Sequence, residues 1–114
     1  MEENALQTVN EKRCRVKFVV TTPHAVRKLY LCGNTKNLGE WNPTDAKELH
    51  KKDDTFVLCK YFHIGETVSF KVLEKMTWNR VELGYWCEDV ANHSIVAEKG
   101  LVVNIEIPNF KYEE

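Results

Sequence analysis

Residues 56–73 read FVLCKYFHIGETVSFKVL: a run of aromatic and aliphatic residues, Phe56–Phe62, a polar break at Gly65-Glu66, and a second run, Val68–Leu73. Runs of this length, rich in β-formers and separated by a few residues with glycine, predict two strands joined as a hairpin. Upstream, Arg15–Thr22 (RVKFVVTT) alternates Val16, Phe18 and Val20 against its neighbours and predicts another strand. Leu29–Cys32 is a shorter one, stopped by Gly33-Asn34, and Ala46–Leu49 another, placed before a Lys51–Thr55 turn. His93–Val96 and Leu101–Ile107 flank Lys99-Gly100 as a closing hairpin. Asn34–Asp45 (NTKNLGEWNPTD) is dense in Asn, Gly and Pro and predicts an irregular loop. About seven short strands, with no window of helical period, point to an all-β sandwich. The domain is expected over residues 13–110, with 1–12 a flexible N-terminal segment.

The chain has 114 residues, one domain's worth. With 16 basic against 17 acidic residues it has no electrostatic footprint for nucleic acid and no basic face for anionic lipid. Its apolar runs are too short for a membrane helix. Met1–Asn10 is polar and acidic, unlike a signal peptide, which favours a cytoplasmic over a secreted setting if that end is native. Cys14, Cys32, Cys59 and Cys87 contain no C-x-x-C spacing, which argues against a zinc ribbon or redox motif. They read as free structural thiols, with Cys14, Cys32 and Cys59 packed in strands as small hydrophobes.

Catalytic signals are thin. His24, His50, His63 and His93 are scattered without ligand spacing, and His24 and His50 read as plain surface residues. No nucleophile elbow, phosphate loop or dinucleotide glycine pattern occurs. Neither a cofactor nor a metal is implied, and the chain reads as no enzyme. The tryptophans are more informative. Trp41 sits in the polar Gly39–Pro43 loop, and Trp78 and Trp86 lie in the polar stretch of residues 78–92. An indole in a polar loop either lids the sandwich or offers a flat platform to the C–H face of a sugar ring.

The order of these features resembles the starch-binding domain, carbohydrate-binding module family 20. Leu29-Tyr30-Leu31-Cys32-Gly33-Asn34 followed by Asn37-Leu38-Gly39-Glu40-Trp41-Asn42-Pro43 is similar to that family's opening half. Val68–Val72 matches its lysine-bearing strand, and Trp86–His93 loosely matches its W-E-x-x-x-N-R segment. The likeness spans about Arg13–Ile107, and the L-G-x-W-N-P element is its most specific part.

The resemblance implies an immunoglobulin-like antiparallel β-sandwich, a non-catalytic module that binds α-1,4-glucans such as starch, glycogen or maltooligosaccharides. It implies, too, that a catalytic domain in the same chain or complex is a partner. Carried over position by position, Trp41 matches the family's first site tryptophan, Lys71 its lysine and Asn92 its asparagine. Trp86 matches the second tryptophan, one residue farther from Asn92 than the family spacing, with Trp78 as the alternative. Glu88 is a candidate hydroxyl acceptor, and the family's arginine after the asparagine is His93 here. The tyrosines of the family's second site have no counterpart in residues 24–27 or 51–55, so no second site is expected. Two other readings stand beside this one: a family 48 glycogen-binding module, and a sandwich that contacts another protein through its tryptophans.

Overall fold

A computed structural model describes residues 12–112; of the expected flexible segment only Lys12 falls within them. The described residues form ten strands: β1 (Arg13–Thr21), β2 (Tyr30–Gly33), β3 (Lys47–Glu48), β4 (His50–Lys52), β5 (Thr55–His63), β6 (Thr67–Leu73), β7 (Glu82–Leu83), β8 (His93–Val96), β9 (Val102–Glu106) and β10 (Asn109–Phe110). They make two four-stranded sheets, ordered β4-β5-β1-β9 and β3-β2-β6-β8, and a small β7–β10 ribbon. The strands beyond seven are pieces of two or three residues.

The period-2 pattern decides which side of each strand is inside. Cys14, Val16, Phe18 and Val20 of β1 face Val68, Phe70 and Val72 of β6 across one apolar core. Phe18 meets the edges of Phe62 and Phe70 at centroid distances of 6.1 and 5.1 Å. Leu31 joins this core, whereas its neighbour Cys32 points to the other face of the sheet. There Cys32, Ala46 and Leu73 form a second, smaller cluster beneath the loops that cover it.

Several sequence expectations change. The Phe56–Leu73 stretch is not a hairpin: β5 pairs with β1, while β6 pairs with β2 and β8 in the opposite sheet. Likewise β8 pairs with β6 and β9 with β1, so the chain through Gly100 crosses between sheets. A turn signal reports that the chain bends, and carries no information on which sheet it rejoins. Both crossings meet, since Gly65 and Ala97 are tied by Gly65 N–H to Ala97 O and by Ala97 N–H to Glu66 O, at 2.8 and 2.9 Å. The β1–β9 pair is parallel within otherwise antiparallel sheets.

His50–Lys52 form β4, so the expected Lys51–Thr55 turn narrows to Asp53-Asp54, with Asp53 at φ 57°. All four cysteines are free, and Cys14 and Cys32 are buried as expected. Cys59, expected to pack inside, is exposed, because its parity on β5 matches Tyr61 and its cross-strand partner is exposed Lys17.

Candidate functional site

The loop that carries Trp41 is built on β2's last residue. Gly33 lies so close to β6 that a Cβ there would come 2.5 Å from Ser69 O and 2.9 Å from Leu38 Cδ1. The Gly33 carbonyl accepts the Trp41 N–H at 2.8 Å. Between them a 3-10 turn, Lys36–Leu38, drives Leu38 fully into the core. Gly39 then ends that turn in the left-handed conformation (φ 88°), and Glu40 and Trp41 stay there at φ 50° and 63°. Asn42 caps the next turn, Pro43–Asp45, with Oδ1 accepting from Thr44 N–H at 3.1 Å, and Pro43 occupies the turn's first position. Each residue of Leu38-Gly39-Glu40-Trp41-Asn42-Pro43 except Glu40 thus has a defined part in presenting the indole.

Trp78 arrives from the other side. The chain leaves β6 at Leu73 and returns beside it at Val81, a bridge that closes the excursion of residues 74–80. Glu74 N–H donates to Arg80 O at 2.9 Å, the Arg80 guanidinium pairs with Glu74 at 3.5 Å, and it covers the Tyr112 ring at 4.0 Å. Trp78 opens the 3-10 turn Trp78–Arg80, with Thr77 as its cap, and stays 37% exposed. Its ring centroid lies 6.3 Å from that of Trp41, the planes tilted by 39°. The two indoles make a single, partly open aromatic surface.

Lys71 alternates with the core-facing Phe70 and Val72, so its side chain leaves the outer face of β6. Its ammonium donates to the Val90 carbonyl. Asn92, two residues on, is exposed. Trp86 stands 89% exposed at the tip of a different turn. That turn is anchored to β9 and β10: Asn109 Nδ2 donates to Gly84 O at 2.9 Å, and Tyr85 O–H to Glu106 Oε1 at 3.2 Å. The neighbouring Glu106 carboxylate pushes the Tyr85 hydroxyl above its ordinary pKa. Glu88 folds back into this turn and accepts from Trp86 N–H at 2.9 Å. Trp86 makes no ring contact with another aromatic among the described residues.

The geometry therefore joins Trp41 to Trp78, Lys71 to the segment that bears Asn92, and Glu88 to Trp86. Sequence reasoning passed over Glu82 as a buried carboxylate, and placed His93 only at the family's arginine position; the two are partners at 2.7 Å. A lone Glu between Val81 and Leu83 reads by alternation as the outward-facing residue, so the sequence does not signal its burial. Residues 24–26, Lys51 and residues 53–56 line one open groove, but its phenyl ring, Phe56, is buried and offers no platform. Among the described residues no cluster of His, Cys, Asp or Glu could hold a metal ion.

The family profile described as the starch binding domain matches residues 13–104. The chain belongs to the starch-binding domain family. As such a domain it is a non-catalytic α-glucan-binding module. Solved structures share this starch-binding domain's fold. The family 20 module of a maltotetraose-forming amylase from Pseudomonas saccharophila STB07 is 17% identical, with a TM-score of 0.60 over 82% of this chain and 99% of that one. A family 15 glucoamylase from Hypocrea jecorina (14% identity, TM-score 0.65) matches over 86% of this chain and 18% of its own. A gamma-CGTase from alkalophilic Bacillus clarkii (22%, 0.63) matches over 86% and 15%. The starch-binding domain thus spans under a fifth of these two enzymes. A comparison with curated protein sequences finds no match.

Proposed function

We propose that this domain holds an α-1,4-glucan chain on the Trp41–Trp78 surface, with Lys71 and Asn92 as hydrogen-bonding partners, and so keeps a catalytic partner on polysaccharide. The observation that carries the reading is the indole pair itself. Two tryptophans from separate loops, one held in strained backbone, meet at 6.3 Å while remaining open to solvent. A tilt of 39° follows the curvature of an α-glucan better than a flat stack would. Trp78, rather than Trp86, is the second stacking residue. The pairing with the glucoamylase and CGTase chains, where a similar domain is a small part of a larger enzyme, supports the targeting role.

The magnitudes fit a weak, reversible binder. Two indoles burying about 100 Å² each, at ~25 cal/mol per Å², contribute about 5 kcal/mol before association costs. A few exposed hydrogen bonds bring the dissociation constant to roughly the millimolar to tens of micromolar range. Titration of the intrinsic fluorescence with maltoheptaose tests this. A saturable change is expected, lost in Trp41→Ala and in Trp78→Ala. No change up to about 10 mM sugar would overturn the reading.

A further inference from the structure

The stretch Asp89–Asn92 has no ladder of its own. Among the described residues its backbone makes no hydrogen bond to other backbone, and the Lys71 ammonium donates to the Val90 carbonyl. Something else must fix where Asn92 points, and the next residue supplies it. The His93 ring stacks on Phe70, centroid to centroid 5.2 Å and 29° between planes. Its Nε2 lies 2.7 Å from Glu82 Oε1 and 2.9 Å from Oε2. Glu82 is itself 2% exposed, and its Oε2 accepts the Val72 N–H at 2.7 Å. That N–H lies just past the point where β8 stops pairing with β6, at Phe70 opposite His93. One buried carboxylate thus finishes the β6 edge and grips the first residue of β8.

We infer that the Glu82–His93 pair is the positioning device of the glucan site. It pins the C-terminal end of the unladdered segment, so that Val90 meets Lys71 and Asn92 is presented ready for sugar. His93 stands where the family resemblance expects an arginine, and Glu82 offers it a carboxylate with both oxygens engaged. Neither group contacts the ligand; both act through Asn92 and Lys71. A buried, hydrogen-bonded carboxylate is suited to this, since leaving it unpaired is unfavourable and alternative placements of the segment are thereby excluded.

The inference rests on the glucan reading above, and the test separates the two. Maltoheptaose affinity and thermal stability are measured on the wild type, Trp41→Ala, His93→Phe, His93→Gln and Glu82→Gln. His93→Phe keeps a ring against Phe70 and loses the bond; His93→Gln places an amide N–H where Nε2 was. Affinity should fall about tenfold in His93→Phe and stay within about twofold of wild type in His93→Gln, a rescue that mere core filling would not produce. Equal affinities in wild type and a folded His93→Phe, or equal loss in both His93 variants, would overturn it. Should His93→Phe fail to fold, Glu82→Gln decides: weakened binding supports the device, and wild-type binding refutes it. If the wild type does not bind maltoheptaose, or Trp41→Ala binds as well as it does, the glucan reading itself has failed and this inference falls with it.

Discussion

Glu40 and Trp41 hold left-handed backbone that L-residues avoid, directly after a glycine that tolerates it. Glycine at position 40 should therefore be accommodated, and Glu40→Gly is expected to raise stability by up to about 1 kcal/mol in urea denaturation. A loss of that size would show that the Glu40 side chain has a role of its own. Gly39→Ala is the opposite case, because a Cβ there would sit 2.7 Å from the Asp45 carbonyl at φ 88°. It should lower stability by about 2 kcal/mol or more and weaken glucan binding with it, as the turn that aims Trp41 shifts. Trp86→Ala, at an 89% exposed site, should change stability by less than about 0.5 kcal/mol. The L-G-x-W-N-P element was readable because each residue type in it has a local backbone job. Which tryptophan joins Trp41 was not, because the excursion of residues 74–80 closes through the Leu73–Val81 bridge and folds Trp78 inward, a long-range event that spacing from Asn92 does not encode.

At the level of elements, strand existence was legible and strand partnership was not. Alternation in Arg15–Thr22 and Val68–Leu73 marks a buried face whatever the neighbour. The two apparent hairpins failed because hydrophobic parity is satisfied equally by either sheet of a sandwich. Cys14 and Cys32 lie on buried strand faces, where burial pushes both thiols above their ordinary value of 9.0, with nearby carboxylates (Glu98 and Glu66; Asp45) adding to it. A raised folded pKa means that stability is fully present below the unfolded value and is lost as pH rises past it. Unfolding midpoints should accordingly fall as pH climbs beyond about 9, and Cys32→Ala should flatten part of that slope. A maleimide reagent at neutral pH should modify Cys59 and Cys87 rapidly and leave Cys14 and Cys32 for slow, unfolding-limited reaction. Four equally fast thiols would contradict the burial of β1 and β2.

For the molecule as a whole, composition said nothing of sugar; the resemblance carried by Leu38–Pro43 gave the α-glucan-binding module, and the family match over residues 13–104 agrees with it. In the proposed reading the outer face of β6 and the loops above it supply the ligand surface, on a scaffold of two packed sheets. One pairing in that scaffold bears on how the domain responds to mechanical load. β1 runs parallel to β9, Lys17 beside Val102 through Thr21 beside Glu106, in the middle and at the edge of the first sheet. Tension applied before Arg13 and after Glu106 pulls these neighbours in opposite directions along their length. The hydrogen bonds between them are then loaded in shear, all together, rather than peeled one at a time. Pulled through those two points in a single-molecule stretching experiment, the domain should resist to a higher force than when it is pulled through Arg13 and His63, the facing end of the antiparallel β1–β5 pair, which unzips. An anchor built this way would hold its grip under drag.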